Sequence, residues 1–582
     1  MTIDTKTNPP WYGSTLAIAL VGSLLLWAAL PPLSIGWAAW IAPVPWLLLV
    51  ASAEMPGRRP YRALYLAGLA FWLAAIHWLR LPHPLVYLGW FALSAYLAAY
   101  LPLFVGLSRV GVHRLGLPLW LVAPMVWTGL ELVRAHLMTG FLMASLAHTQ
   151  IHATTLIQFS DLFGEYGVDF LIVLVAACVT SVVRNAKFGM WNETIPTSAI
   201  PHSAFRIPHL VLRSTLPAVV ALTAALSYGR WRLADVTAPA DAKTVRIALI
   251  QGNSLADWKF DDARQRQIME DYVRLSQRAI IQARTVGDGR PPDLVVWPET
   301  MFRVPLFSFD PGFQLPPQST HTKDELAAAA PRELAKLVAA LGTPILVGID
   351  RLFYERAADS TQSSKEDPIL NSQPSTLNPS AAYNSAVLVG RDGQIVATYD
   401  KFHLVMFGEY VPFSGWLPFL KQITSLTGSV DAGEGPVAIE LEGTIYAPNI
   451  CYETVIPHVI RRQAKTHYEG SRPPEVLVNL TNDAWYWGSS ELDQHLASGV
   501  FRAIETRRPL VIAANGGISA WIDHTGRIRA QSPKQAEDVI IADVEKVHET
   551  SPYLKWGDWF AGLCLIGCVA LVVVGWRKRQ TT

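Results

Sequence analysis

Charge is scarce in this chain: Asp, Glu, Lys and Arg make up 16% of its 582 residues, against about a quarter in an average soluble protein. Together with 51% hydrophobic residues, that scarcity marks a membrane protein carrying a soluble part. The formal net charge is +1 and there is no long basic run, which argues against nucleic acid as a partner, because clustered Lys and Arg are what neutralise phosphates. A phosphate-cradling Gly-rich motif is also missing, so no nucleotide is expected. Cysteine is equally rare: of four, Cys178, Cys564 and Cys568 lie inside apolar runs, leaving no pair to staple the soluble part. Cys451 is the lone thiol among roughly 320 polar residues between the apolar regions. It is either an inert packing residue or a nucleophile.

What the chain has in abundance is apolar runs. Stretches near 14–33, 35–52, 61–80, 84–106, 117–135, 165–183 and 209–228 each approach the roughly 20 residues that a helix needs to cross a bilayer. A further run, Trp559 to Trp576, stops at Arg577-Lys578-Arg579, positive charge just beyond a span. About eight crossings are expected. Met1 to Asn8 lacks a basic start and no small-residue cleavage site follows the first run, so that run is expected to stay as an anchor. Positive residues cluster after the second span (Arg58, Arg59, Arg62), the fourth (Arg109, Arg114) and around the loop after the sixth (Arg184, Lys187, Arg206, Arg213), while the alternate loops are nearly bare. By the positive-inside rule both termini are then cytoplasmic and the soluble domain lies outside, in a bacterium in the periplasm. The mostly apolar loop from Thr139 to Gly167 is either a re-entrant segment packed on the bundle or a lipid-facing access surface. Glu131 and Arg134 are spaced as a helix i,i+3 pair that neutralises itself.

In the soluble region, β-rich runs at Val245–Ile250, Leu294–Trp297, Ile345–Ile349, Ala386–Gly390, Val437–Leu441, Val476–Leu480 and Leu510–Ala514 are separated by helical patterns at Asp261–Arg284, Lys323–Leu341 and Leu492–Ile504. Strands alternating with helices predict an α/β domain with its sheet buried under helices. Ser360 to Ser380, rich in Ser, Pro, Asn and Gln, reads as a surface insertion.

A thiol of ordinary pKa needs a base to take its proton and a positive group to hold the resulting charge. Three residues stand at strand ends in distinctive contexts: Glu299 in Trp297-Pro298-Glu299, Lys401 in Tyr399-Asp400-Lys401, and Cys451 in Asn449-Ile450-Cys451-Tyr452-Glu453. Any one of them alone is more often a solvated charge or a small core residue. Strand ends on one sheet edge are nonetheless where catalytic groups collect, and the joint occurrence raises the chemical reading.

These three stretches resemble the Glu-Lys-Cys triad of the nitrilase, or carbon-nitrogen hydrolase, superfamily. Ile250-Gln251-Gly252-Asn253, His403-Leu404, Phe407-Gly408-Glu409-Tyr410-Val411-Pro412, Leu480-Thr481-Asn482-Asp483-Ala484-Trp485, Gln494-His495 and Arg502-Ala503-Ile504-Glu505 are similar to its membrane-embedded branch, the apolipoprotein N-acyltransferases. The resemblance implies a multi-span α-helical membrane bundle at 1–232, a nitrilase-like αββα sandwich at 243–545 and a last span at 557–577. It also implies Glu299 as general base, Lys401 as oxyanion stabiliser and Cys451 as nucleophile, with Glu409 and Glu453 at supporting family positions. The implied substrates are a phospholipid acyl donor and the diacylglyceryl-modified N-terminal cysteine of a lipoprotein as acceptor, with no cofactor and no metal, in a bacterial inner membrane. Two departures bear on substrate preference: Met406 stands where a proline is usual, and Leu142-Met143 replace a Pro-Trp pair.

Apolar segments follow two of the three residues, Met301–Phe313 with four Phe after Glu299 and Phe413–Leu426 after the Lys401 stretch. They either dip into the bilayer and wall an acyl-chain pocket or pack in the core. Two rival readings stand beside acyl transfer: a membrane-bound amidase using the same triad for hydrolysis, and a non-catalytic membrane scaffold. A Cys-His hydrolase through His403 or His495 lacks a cysteine-protease context. Cys564 and Cys568, spaced i,i+4 on one helix face without a His or carboxylate nearby, fit helix packing better than a metal.

Overall fold

A computed structural model describes residues 14–84, 86–191, 203–234, 243–256, 261–285, 287–317, 319–355, 379–406, 408–410, 430–470 and 472–580. The chain divides into two units, one of Met1–Leu79, Tyr87–Val236 and Trp556–Thr582, the other of Arg80–Val86 and Thr237–Lys555.

The first unit is helical. Two stretches, Val86–Arg114 (29 residues) and Glu165–Asn185 (21 residues), are long and apolar enough to cross a membrane; Thr15–Ala29, Gly36–Ala51 and Trp559–Gly575 are apolar but shorter. Fifteen residues of helix, as in Thr15–Ala29, rise only about 22 Å at 1.5 Å each. The run at 61–80 is cut the same way: its helix ends at Ala75 and a 3-10 turn follows at His77–Arg80. Helices also span Leu119–His136 and Ser203–Ala234.

Of the two readings of Thr139–Gly167, the structure has the packed one. Leu142 and Tyr166 sit in a buried cluster with Ala135 and Ala561, and short helical turns at Ala147–Gln150, Thr154–Ile157 and Ser160–Phe163 carry the chain round. The predicted i,i+3 pair forms, with Arg134 Nε donating to Glu131 Oε1 at 3.1 Å. The same guanidinium donates to the carbonyls of Phe141 (3.0 Å) and Met143 (2.8 Å), so the pair also anchors the loop. The lower cysteine of the i,i+4 pair packs as expected: a Cβ added to Gly129 would meet Cys568 Sγ at 2.7 Å, so Gly129 is what lets the two helices approach.

Among the described residues the second unit has thirteen strands: β1 Thr244–Gln251, β2 Leu294–Val296, β3 Phe302–Phe309, β4 Ile345–Tyr354, β5 Ala381–Val389, β6 Ile395–Asp400, β7 Ile439–Leu441, β8 Thr444–Ile450, β9 Val476–Asn482, β10 Leu510–Asn515, β11 Ala520–Ile522, β12 Ile528–Gln531 and β13 Asp538–Glu545. They form a seven-stranded sheet in the order β13-β1-β2-β4-β5-β6, with β3 beside β4, and a six-stranded sheet in the order β12-β11-β10-β9-β8-β7. The alternation along β1 shows why the sheets stack. Ile247 and Leu249 point into a core shared with Tyr446, Val476, Val478 and Leu480 of the second sheet. Ala248 and Ile250 point the other way, onto Ile268, Tyr272 and Leu275 of helix Asp262–Ala283 and Leu334 and Val338 of helix Ala329–Leu341. Helices Pro457–Lys465 and Glu491–Thr506 cover the second sheet, where Gly499 gives Leu510, Ile512 and Ile522 room to approach within 3.0–3.3 Å of the position its Cβ would take. The result is four layers, α-β-β-α, as the resemblance implied.

The seven apolar runs all form strands, and six further strands lie outside them. β6 and β8 are the strands that the positions of Lys401 and Cys451 imply, β3 lies in the segment read as an apolar flank, and β11, β12 and β13 mix polar residues into half-buried or edge positions. Glu325 and Thr322 form a capping box at the start of Lys323–Ala327, after which the chain restarts as Ala329–Leu341, splitting the single predicted helix. The insertion Ser360–Ser380 lies outside the described residues up to position 378.

Candidate active site

Strand direction explains why distant residues meet. β2 runs parallel to β4, β5 antiparallel to β4, and β6 antiparallel to β5, so β2 and β6 end on the same edge of the first sheet. β8 runs parallel to β9 in the second sheet. Glu299 follows β2, Lys401 follows β6, Cys451 follows β8 and Asp483 follows β9. The turn carrying Glu299 fits because β4 has glycine at 348: a Cβ there would meet Pro298 O at 2.4 Å and Thr300 N at 2.5 Å.

Glu299 is 7% exposed and Lys401 1%. Glu299 Oε1 accepts from Asn384 Nδ2 at 2.6 Å, and Oε2 from the Asn482 backbone N–H at 2.9 Å. Lys401 Nζ lies 2.7 Å from Glu409 Oε1 and 3.8 Å from Glu299 Oε1. Glu409 is itself fixed by the Val405 N–H on its other oxygen at 2.8 Å. One ammonium thus sits between two carboxylates, an arrangement whose desolvation is offset by close pairing and further hydrogen bonds.

Cys451 is half-buried and opens a 3-10 turn, Cys451–Val455. Its φ of +52° is left-handed, uncommon for a residue with a Cβ. Glu453 ties this turn to the Lys401 segment: it accepts from Tyr399 OH (2.6 Å), Phe402 N (3.1 Å), His403 N (3.0 Å) and Ile450 N (2.8 Å). Glu453→Gln places an NH2 among donors and leaves at least one buried group unpaired, so we expect a loss of about 2–3 kcal/mol, read as a lower thermal unfolding midpoint.

Charge sets the protonation pattern. Burial pushes the Cys451 thiol well above its usual range; the Glu299 carboxylate adds to this and the Lys401 ammonium opposes it. Burial also raises Glu299, against the pull of Lys401, while Glu409 raises it further. For Lys401 burial favours the neutral amine, but Glu409, Cys451 and Glu299 together outweigh it and carry its pKa above the ordinary lysine value. The resting combination is a thiol, an ammonium and a carboxylate of raised basicity, which can accept a proton from the thiol.

The chain matches the apolipoprotein N-acyltransferase N-terminal domain over residues 22–178 and the carbon-nitrogen hydrolase domain over residues 246–551. It is 32% identical over 576 residues to an apolipoprotein N-acyltransferase of Rhodopirellula baltica, covering 96% of each chain. The chain belongs to the apolipoprotein N-acyltransferase family. A second member of the family, from Geobacter metallireducens, is 32% identical over 572 residues, covering 97% of this chain and 95% of its own. Among solved structures, a carbon-nitrogen hydrolase from Helicobacter pylori is similar with 13% identity and a TM-score of 0.34, covering 52% of this chain and 90% of its own.

The structure brings all five predicted site residues, Glu299, Lys401, Cys451, Glu409 and Glu453, into one connected neighbourhood. It adds Asn384, which sequence reasoning missed; the available signal was an amide, next to Ser385, in the mostly apolar strand β5. Of the family stretch at 407–412, Phe407, Val411 and Pro412 lie outside the described residues, as does all of Phe413–Leu426. Met406 bridges to Tyr410. In Met301–Phe313 the first two residues are core, and Phe307, Phe309 and Phe313 gather on Tyr354 with ring centroids 6.3, 5.3 and 5.6 Å away. Core packing therefore accounts for Met301 and Phe302, while Phe307, Phe309 and Phe313 form a half-buried ring cluster. One cluster has metal-ligand spacing among the described residues: Asp483, Glu491 and His495, with ligand atoms within 4.8 Å of one another.

Proposed function

We propose that this protein transfers a fatty acyl chain from a membrane phospholipid, through a thioester on Cys451, to the α-amino group of the N-terminal diacylglyceryl-cysteine of a lipoprotein. The observation that carries the reading is the meeting of Glu299, Lys401 and Cys451 at strand ends, within a chain whose family membership runs through both its units. In this account Glu299 removes the Cys451 proton as the sulfur attacks the ester carbonyl. The tetrahedral oxyanion forms beside the Lys401 ammonium, which is already charged and held. The ester C–O bond breaks, the lysophospholipid oxygen takes the proton from Glu299, and the acyl group stays on sulfur. The acceptor amine then attacks the thioester, Glu299 takes its proton, and Cys451 leaves as thiolate and is reprotonated. Glu409 and Glu453 hold Lys401 and the Cys451 turn. Burial of the charged groups limits water, favouring the amine over hydrolysis.

The same reading includes about eight crossings, at 1–232 and 557–577, with both termini cytoplasmic and the catalytic domain at 243–545 in the periplasm of a bacterial inner membrane. The shorter helices cross through local thinning or with flanking residues at the interface.

The test uses purified protein with phospholipid and a diacylglyceryl lipopeptide bearing a free amine. We expect N-acyl lipopeptide and lysophospholipid in equal amounts. Water-dependent hydrolysis without transfer would instead make the protein an amidase or esterase. The single-turnover acylation rate should fall as pH is lowered through the Glu299 pKa, because its carboxylate must be ionised to accept the proton. Since burial raises that pKa, the midpoint should lie above the ordinary carboxylate range, and a midpoint at the value of a free glutamate would contradict this assignment.

A further inference from the structure

The left-handed φ of Cys451 costs a residue with a Cβ about 1–2 kcal/mol, and such a conformation persists only where the surroundings over-determine it. Its carbonyl oxygen is held from two sides: Asn479 Nδ2 donates at 3.2 Å and His495 Nε2 lies at 3.2 Å. His495 stands in the first turns of helix Glu491–Thr506 and is 3% exposed. Its other ring nitrogen, Nδ1, lies 3.4 Å from Asp483 Oδ1. Asp483 is buried in turn and accepts from Thr481 Oγ1 at 2.6 Å. Its neighbour Asn482 supplies the backbone N–H that holds Glu299. Asp483 and His495 therefore connect the segment that fixes the base to the peptide that carries the thiol.

We propose that His495, oriented by Asp483, is a positioning residue for Cys451: its Nε2–H holds the Cys451 carbonyl and so keeps the backbone in the left-handed conformation that aims the thiol at the acyl carbon. The inference rests on the thioester reading of Cys451. The ring has no role in proton transfer here, because its contact is to the carbonyl and not to sulfur. Both ring nitrogens face acceptors, the Cys451 carbonyl at Nε2 and the Asp483 carboxylate at Nδ1, and the doubly protonated ring is the form that donates to both. Glutamine places an N–H donor at similar reach, so it preserves the contact that alanine deletes.

The experiment measures single-turnover formation of acyl-Cys451 by mass spectrometry, using the full chain in phospholipid-containing micelles, with thermal unfolding as the check on folding. Wild type must form the adduct; if it does not, the thioester reading fails and this inference with it. Given the adduct, His495→Ala should slow acylation about 100-fold, as expected for a reacting group displaced by about an ångström. His495→Gln should stay within about tenfold of wild type. Wild-type acylation in His495→Ala would overturn the inference and leave the thioester reading standing. So would a folded His495→Gln as slow as His495→Ala. If alanine does not fold, glutamine decides alone, and failure of both to fold makes His495 a core residue, which also overturns the proposal. Loss of wild-type acylation on chelation, restored by a divalent ion, would assign Asp483, Glu491 and His495 to a metal and overturn it as well.

Discussion

Cys451→Ala should abolish both acyl transfer and lysophospholipid release, lowering the rate by roughly a thousandfold or more, to background. The large effect follows from covalent chemistry. Glu299 and Lys401 remain in place, but neither offers a nucleophile that forms a thioester. The variant should fold as wild type, since Cys451 is half-buried and its side chain is small. Alanine also adopts a left-handed φ no less readily than cysteine. Thermal unfolding with an unchanged midpoint, alongside complete loss of turnover, is the expected pair of results. Retained turnover would favour a scaffold, or a reaction that bypasses sulfur.

Lys401→Met removes the ammonium from between two carboxylates, and its consequences are both catalytic and structural. Loss of one oxyanion-stabilising group slows acylation by about 100- to 1,000-fold. Breaking a buried pair by deleting one partner costs roughly 3–5 kcal/mol, because the other charges remain in low dielectric. Here the remaining partners are Glu299 and Glu409, bridged by Asn384 Nδ2 at 2.6 and 3.4 Å. Two acids so placed retain a proton between them, and Glu299 then fails as a base near neutrality. The acylation rate of the folded variant should therefore recover in part as pH rises, a dependence that simple unfolding does not produce. Rates at the wild-type level in a folded variant would remove Lys401 from the mechanism.

How much of this was legible before the structure depended on where each residue sits. β1, β2, β9 and β10 are buried over almost their whole length between a partner sheet and a helix layer, and the apolar runs within them stand out. β12 and β13 alternate between core and exterior at the margin of the sandwich, and that weaker pattern hid them. Glu299, Lys401 and Cys451 were readable because each ends a strand in an unusual context, and their meeting follows from the shared direction of β2 and β6 and the stacking of β8 opposite them. Asn384 and the link from Asp483 through His495 to Cys451 were not readable as contacts, since each joins residues from different elements and no local spacing records such a pair. In the helical unit the sequence shows apolar composition well and helix length poorly: Pro43 and the turn at His77–Arg80 divide runs that look continuous by hydropathy.

The role of Cys451 as acyl carrier is open to direct observation. Purified protein is incubated with phospholipid alone, quenched in acid, digested, and the Cys451 peptide is weighed by mass spectrometry; a second portion is first chased with the lipopeptide amine. The expected result is a fatty-acyl mass on the Cys451 peptide that hydroxylamine removes, and that disappears during the chase as N-acyl lipopeptide forms in equal amount. Formation of N-acyl lipopeptide with no acyl mass ever present on Cys451 would contradict it.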